Sequence, residues 1–391
     1  MVTIQQEVLN AALNAVTRAS LTKSTLPAFS LVRLDVKTGG TLTLSCFNGE
    51  TAARAITPIA CDDDLSVSVD AQTLKAVVET LTGVIHLSVE QNSLLLQNGA
   101  NRTTMRLIEE TIPVIGDESV QKLATLSGSA LRSLARVLPF ASTDDSRYVL
   151  QVMHLTFEQD NVTAQAADGY SASYVSESLQ GTIEQTSVSL PSSFARLLAS
   201  LVDERDTVQV QAAGSNRYIF QITNAEHTKN LTLATVTSAE NFPSAQILQL
   251  IEEARRSAVA HLNLQQVRLM QTLRMVNAMG TQNTFIKASN GTIKMASAET
   301  ENGRSRNIVE GTASGQDARV WLSAAFLKRA AESCKGELTI KITDEKKPVL
   351  VEAGNFTAVI MPMLVESDKD PFPEDEAMAM SLLEVDAVPM Q

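Results

Sequence analysis

Side chains able to do covalent chemistry are few in this chain and poorly spaced for it. The four histidines, His86, His154, His227 and His261, are scattered at no metal-ligand spacing. Three cysteines, Cys46, Cys61 and Cys334, lie far apart with no Cys-x-x-Cys pair. They read as reduced core thiols of a cytoplasmic protein. The acidic clusters Asp62-Asp63-Asp64 and Asp144-Asp145 fall in loop-like stretches, where hydrated acids are the default over a metal site. There is no glycine-rich phosphate loop, no Gly-x-Ser-x-Gly and no His-Glu-x-x-His. The expectation is a protein without catalytic residues, metal or cofactor.

The side chains that do form a pattern are cations. Six stretches with helical apolar spacing carry Arg18, Lys75, Arg132, Arg136, Arg196, Arg268, Arg274, Lys328, Arg329 and Lys335, against only Glu7, Glu79 and Glu332. The chain as a whole has a formal charge of −12, but residues 366–391 hold eight acids and one lysine, which leaves −5 for everything before them. On one helix such a bias is a solvated face. On six it suits a basic surface offered to a polyanion, with sequence-independent, salt-sensitive phosphate contacts. No helix-turn-helix, zinc finger or aromatic-rich strand accompanies it, so base readout is not expected.

The elements that must position these cations recur three times. Ile4–Ser20, Leu126–Ser142 and Leu262–Ala278 are amphipathic segments offset by 122 and 136 residues. The hairpin turns Asn48-Gly49, Asp168-Gly169 and Asn302-Gly303 follow at offsets of 120 and 134. Strand-to-helix junctions then begin at Val67, Val188 and Val320, with Asp70 and Ser323 as N-caps and Pro191 in a first turn. Two strands close each unit, as in Ile85–Gly99. The class is α+β, three tandem copies of two helices backed by antiparallel sheets, with domains at 1–122, 123–251 and 252–365. Hydrophobic residues at 44% and aromatics at 4% make the cores aliphatic. No apolar run approaches the ~18–20 residues that cross a bilayer. Sheet edges repeated in this way must be covered or paired, and a curved tandem closes by head-to-tail association with a second copy, as a ring.

The last hairpin, PVLVEAGNFTAVIMPM over Pro348–Met363, turns at Gly354-Asn355 and stops at Pro362. Its Met-Pro-Met ending resembles that of the bacterial replicative sliding clamp, the beta subunit of DNA polymerase III. So do KSTLP at Lys23–Pro27, SRYVL at Ser146–Leu150, AADGYSASY around Gly169, and Phe242-Pro243, which extends the resemblance along nearly the whole chain.

That resemblance implies a homodimeric six-domain ring whose helices encircle duplex DNA. Lys23 would join the helix cations near DNA. The partners would be the polymerase III catalytic subunit, the clamp loader and other proteins bearing a clamp-binding peptide. Their pocket would be Leu150, Gly169, Tyr170, Ala172, Pro243, Leu248, Val359, Ile360, Met361, Pro362 and Met363. The dimer contact is expected across sheet edges, at Met105 and Leu107 on one side and Ala278 and Met279 on the other. Two departures stand out. Ser171-Ala172 replaces the Arg-Leu that follows the Asp-Gly turn in the family, and the chain continues past Met-Pro-Met through an acidic segment expected to be disordered. Leu382-Leu383 within it is a candidate ligand for the chain's own pocket. These departures motivate an alternative, a regulatory or decoy clamp that titrates partners.

Overall fold

The computed structural model describes residues 2–61, 63–110, 112, 120–179, 185–237, 241–363 and 370–372. Seven α-helices stand among them: α1 Gln6–Val16, α2 Ala71–Glu79, α3 Gly128–Leu134, α4 Ser192–Leu201, α5 Ser244–Ser257, α6 Gln266–Ala278 and α7 Ala324–Ser333. In each copy the first helix leaves a short strand and packs on the second: α1 on α2, α6 on α7, and the 3-10 turn that continues α3 on α4.

One backbone hydrogen bond recurs at each junction. A helix leaves its first N–H groups without intrahelical partners. Here the first N–H of each leading helix donates to a carbonyl in the loop after the second helix: Gln6 to Gly83 at 2.8 Å, Gly128 to Asp206 at 2.7 Å, and Gln266 to Gly336 at 2.8 Å. The strands on either side pair antiparallel, Gln5 with Val84, Ser127 with Thr207, and Gln265 with Glu337. Each bond therefore carries the ladder one residue further and fixes the angle at which the helix departs.

The helix faces follow the apolar spacing. Leu9, Ala12, Leu13 and Val16 are the buried residues of α1, one stripe at three- and four-residue intervals. Asp70 caps α2 by accepting from Thr73 N at 2.8 Å. Ser323 occupies the corresponding position of α7 without a side-chain cap bond, and Pro191 is itself the cap residue of α4 rather than part of its first turn. The segment Leu126–Ser142 differs from a single long helix. It is seven residues of α3 followed by a 3-10 turn, Ala135–Phe140, because Pro139 removes a donor.

Two compact units emerge: Met1–Ala166 with Val175–Phe242, and Ala167–Tyr174 with Pro243–Gln391. In the first unit an eight-stranded sheet runs continuously through two copies, in the order 121–127, 207–213, 217–223, 230–236, 51–58, 41–47, 31–37, 65–70. The joining ladder is Leu231–Ala55, Leu233–Ala53 and Thr235–Thr51, so the edge of each copy is paired by its neighbour. A five-stranded sheet, 60–61, 2–5, 84–90, 93–98, 101–106, completes the first copy.

In the second unit the strands 356–360, 349–353, 337–342, 260–265 and 311–315 form one sheet, and 306–309, 292–297, 283–289 and 318–323 another. Ala353 pairs with Phe356 across the two-residue turn, where Gly354 takes φ +58°. Helix α5 has no counterpart in the repeat, and it runs unbroken through Glu252, where a boundary was expected. Only Ile247, Ile251 and Ala254 of α5 are buried. An ion cluster ties it down: Arg255 donates to Glu352 at 2.7 and 2.9 Å, and Lys341 reaches the same carboxylate at 2.6 Å. Burial pushes the Glu352 carboxyl up, but these two cations outweigh it and hold it below the usual carboxylate range.

In the first unit the second copy has Gly128 where the other two have Gln6 and Gln266, since its inter-element loop is longer and crosses the helix start. A Cβ on Gly128 would lie 1.8 Å from Asp203 O. Gly128→Ala is expected to lower unfolding free energy by roughly 1–3 kcal/mol through forced backbone displacement. Urea denaturation of both chains checks this.

His154 is buried, stacked on Phe242 at 4.9 Å, with Nδ1 3.0 Å from Ser189 Oγ. Burial lowers its pKa from the ordinary 6.5. The unfolded chain therefore binds the proton first, so stability is complete above pH 6.5 and falls as pH drops through the window below it. A stability–pH profile should show this slope, and His154→Gln should flatten it.

Candidate nucleic-acid interface and docking site

Helix propensity and an apolar stripe on one side leave the long cations on the other. Arg18, Arg132 and Arg196 in the first unit, and Arg268, Arg274 and Lys328 in the second, are exposed; Lys75 and Arg136 are half-buried. Lys23 is exposed in the loop before Pro27. Several hold weak local partners: Arg18 donates to Ser200 Oγ at 2.6 Å, Lys75 lies 3.7 Å from Glu79, Arg268 2.8 Å from Glu310, and Lys328 3.6 Å from Glu332. Exposed pairs of this kind are worth little and exchange readily for a stronger anion. Arg132 and Arg196 instead donate to the carbonyls of Val202 and Leu138, at 3.2 and 2.6 Å, which pins their direction. Arg274 and Lys328, from α6 and α7, line one groove of about 260 Å³ with Met270, Leu273, Asn277 and Glu332.

Arg329 is a correction to this set. Its guanidinium is engaged at 2.6 Å by Asp168 Oδ2, donates to Ser171 Oγ at 2.6 Å, and lies 4.8 Å from the Phe326 ring centroid. It sits one residue past Lys328 on α7, which turns it about 100° away to the docking patch.

That patch forms within the second unit. Asp168 closes the turn by accepting from Tyr170 N and Ser171 N at 2.9 and 2.7 Å, and its other oxygen takes Arg329. Met361 N donates to Tyr170 O at 3.0 Å, so the end of the last hairpin is laced to this turn. Tyr170 stacks on Phe326 with centroids 6.3 Å apart. The layers run Tyr170, Phe326, Arg329. Tyr170 is 54% exposed and Met361 39%, large apolar groups that a folded chain ordinarily covers. Leu248 of α5 is also exposed, at 39%, with Pro243, Pro362 and Met363 half-buried and Gly169 open.

Three expected lining residues are corrected. Ala172, Val359 and Ile360 are buried in the strands, so they brace the patch and present no side chain to a ligand. Leu150 is half-buried in the first unit. Sequence reasoning missed Phe326 and misplaced Arg329. Their i, i+3 spacing on α7 was legible, but their meeting with Tyr170, about 156 residues away, is a tertiary fact.

Of the residues expected at a dimer contact, Met105 is corrected: at 7% exposure its side chain belongs to the core beneath strand 101–106. Leu107 and Met279 are half-buried and Ala278 is exposed. Asp144 caps a 3-10 turn through Ser146 N at 2.9 Å, and Asp64 accepts from Thr38 N at 2.6 Å, which gives both acids loop roles; Asp62 lies outside the described residues. Among the described residues no three His, Cys, Asp or Glu side chains converge as a metal site, and no helix is long and apolar enough to cross a membrane. Burial pushes the Cys46 thiol up, away from the reactive thiolate.

Comparison with known proteins agrees with this architecture. The family described as DNA polymerase III beta subunit, N-terminal domain, matches residues 1–115. The beta sliding clamp of Streptococcus pneumoniae strain TIGR4 is 25% identical over 378 residues, which covers 90% of this chain and 96% of that protein. Residues 1–115 thus match the DNA polymerase III beta subunit N-terminal domain family, and the chain is similar to a beta sliding clamp over nearly all of its length. Its fold superimposes on the beta subunit of Streptococcus pyogenes with TM-score 0.84 at 19% identity, over 93% of this chain and 100% of that one. The beta sliding clamp homolog GriR of Streptomyces muensis is 24% identical over 215 residues, 53% of this chain and 56% of that protein.

The Asp168–Arg329 pair orders the turn that carries Tyr170. Arg329→Gln should leave the helix folded but loosen that turn. Losing one partner of a largely desolvated, hydrogen-bonded ion pair costs about 2–5 kcal/mol locally. Hydrogen exchange at Tyr170 and Ser171 should accelerate while circular dichroism stays unchanged.

Proposed function

We infer that this chain acts as a DNA sliding clamp, a ring that encircles duplex DNA and tethers the replicative polymerase and other enzymes during processive synthesis. The observation that carries the reading is the triplicated unit itself. Each copy backs two helices with sheet and leaves cations outward from those helices, a surface suited to phosphates and without base-reading groups. Arg18, Lys23, Lys75, Arg132, Arg136, Arg196, Arg268, Arg274 and Lys328 supply the contacts, held loosely enough to let the duplex slide.

The ring closes by association of two copies. Strand 101–106 ends the five-stranded sheet and strand 306–309 ends the four-stranded one, where Ile308 is exposed. These two edges pair between protomers in this reading, with Leu107 beside the first and Met279 near the second. The Tyr170–Met361 patch receives the apolar side chains of partner peptides, since methionine repacks around varied ligands. The Arg329 guanidinium stands beside Ser171, the position that in the family carries arginine, and restores a cation to that wall. The polymerase catalytic subunit and the clamp loader are the partners of this patch.

Topological trapping tests the function. The protein is loaded onto nicked circular DNA with a clamp loader, isolated in high salt, and the circle is then cut. Retention on the circle and loss on cutting are expected of a closed ring. Release from both forms in salt would mean ordinary charge binding and would overturn it. Arg274→Glu with Lys328→Glu should reduce the loaded fraction without altering the dimer, as read by sedimentation.

A further inference from the structure

The outer face of the four-stranded sheet in the second unit carries two adjacent rows of side chains with no part in the reading above. Strand 283–289 pairs Phe285 with Trp321 on one side and Ala296 on the other. Two residues along, on the same face, Lys287 pairs with Arg319 and with Lys294. The first row is apolar and aromatic, and the second is three cations abreast. Like charges directly opposite one another weaken a sheet, so the basic row draws in anions, and Glu345 already engages Arg319 at one end of it. Ile286, Met295 and Val320 point to the opposite face and fill the core.

Residues 370–372 of the acidic segment answer both rows. Asp370 bonds to Lys287 at 2.7 Å and lies 3.7 Å from Arg319. Phe372 lies 6.4 Å from the Phe285 ring and 5.9 Å from Lys294 Nζ, and it packs with Met363 over Phe285, Ala296 and Trp321. Phe372 N donates to Asp370 Oδ1 at 2.8 Å, which sets the spacing between charge and ring. Under this cover Phe285 is 2% exposed and Trp321 9%. A cavity of about 1000 Å³ continues beside the contact, lined by Lys294, Lys346 and Lys347 and also by Asp317, Asp344 and Glu345.

We propose that this face is a peptide-binding groove whose resident ligand is the chain's own Asp370-Pro371-Phe372, seated as a releasable strap. The ligand chemistry is an acid two residues before an aromatic ring, one for each row. Among the described residues the strap's contact is short, and its ionic half weakens with salt. When it leaves, the aromatic row and the Lys287 ammonium become available to another segment of the same chemistry. This groove meets the Tyr170 patch only through Met363, and its test does not depend on the clamp reading.

Trp321 is the chain's sole tryptophan, so its fluorescence reports the strap directly. In the full chain, Asp370→Lys and Phe372→Ala should each shift Trp321 emission to the red and raise its quenching by acrylamide, with circular dichroism unchanged. A labelled peptide of residues 367–376 should bind a chain ending at Met363 roughly tenfold or more tighter than it binds the full chain, where the strap competes. Lys287→Glu in the shortened chain should abolish that binding. Unchanged Trp321 emission in both full-length variants would overturn the proposal. So would equal binding of the peptide to both chains, or none to a shortened chain that remains folded.

Discussion

The junction at which a strand becomes a helix carries this architecture. Three times, the first helical N–H donates to a loop carbonyl across the sheet at 2.7–2.8 Å, and the strands beneath pair on either side. An orphan donor at a helix start must find a partner. Satisfying it from the loop after the second helix ties both helices of a copy to one ladder. The helix pair then has a single orientation, and its apolar stripe falls on the sheet without further instruction. Where the loop lengthens, as at Val202–Asp206, the chain admits only glycine at the helix start, and Lys229 gathers the extra acids, 2.9 Å from Asp203 and 2.6 Å from Asp206.

Charge is partitioned in the same way. Exposed helix cations keep weak, exchangeable neighbours such as Glu79, Glu310 and Glu332, whereas the cations that hold structure are bound to buried or half-buried acids. Arg255 and Lys341 on Glu352 fasten α5, Arg329 on Asp168 fastens the Tyr170 turn, and Lys287 on Asp370 fastens the strap. A chain with formal charge −12 can thus leave cationic helix surfaces for a polyanion, because seven of those charges lie beyond residue 365.

The two apolar surfaces of the second unit are built differently. At the Tyr170–Met361 patch the large side chains remain exposed, ordered by the Met361–Tyr170 backbone bond, the Asp168–Arg329 pair and the stack on Phe326. On the outer sheet face the aromatic row is covered by Met363 and Phe372. An open patch suits exchange among ligands, while a covered one needs a competitor or the loss of an ion pair before it can serve.

Periodicity by itself determined the repeat. The three helix pairs, the Asn-Gly and Asp-Gly turns, the cap at Asp70 and the final hairpin at Gly354-Asn355 are local patterns, set by helical spacing, positive φ and side-chain capping, and they stand where the residues place them. The excess of helix cations was legible for the same reason, since an amphipathic stripe dictates which residues face outward. What only tertiary structure decided is which distant groups meet. Arg329 looked like one more helix cation until Asp168 was beside it. Val359 and Ile360 looked like surface groups until their strand was packed on both faces, and Met105 until its side chain was turned into the core. Helix α5 was missed because it has no counterpart in the repeat and its anchor, Glu352, is about 97 residues away. Residues 370–372 read as solvated acid, because nothing local reveals two cross-strand rows made from three separate strands. Sequence spacing fixes faces, and only the ladder register brings faces together.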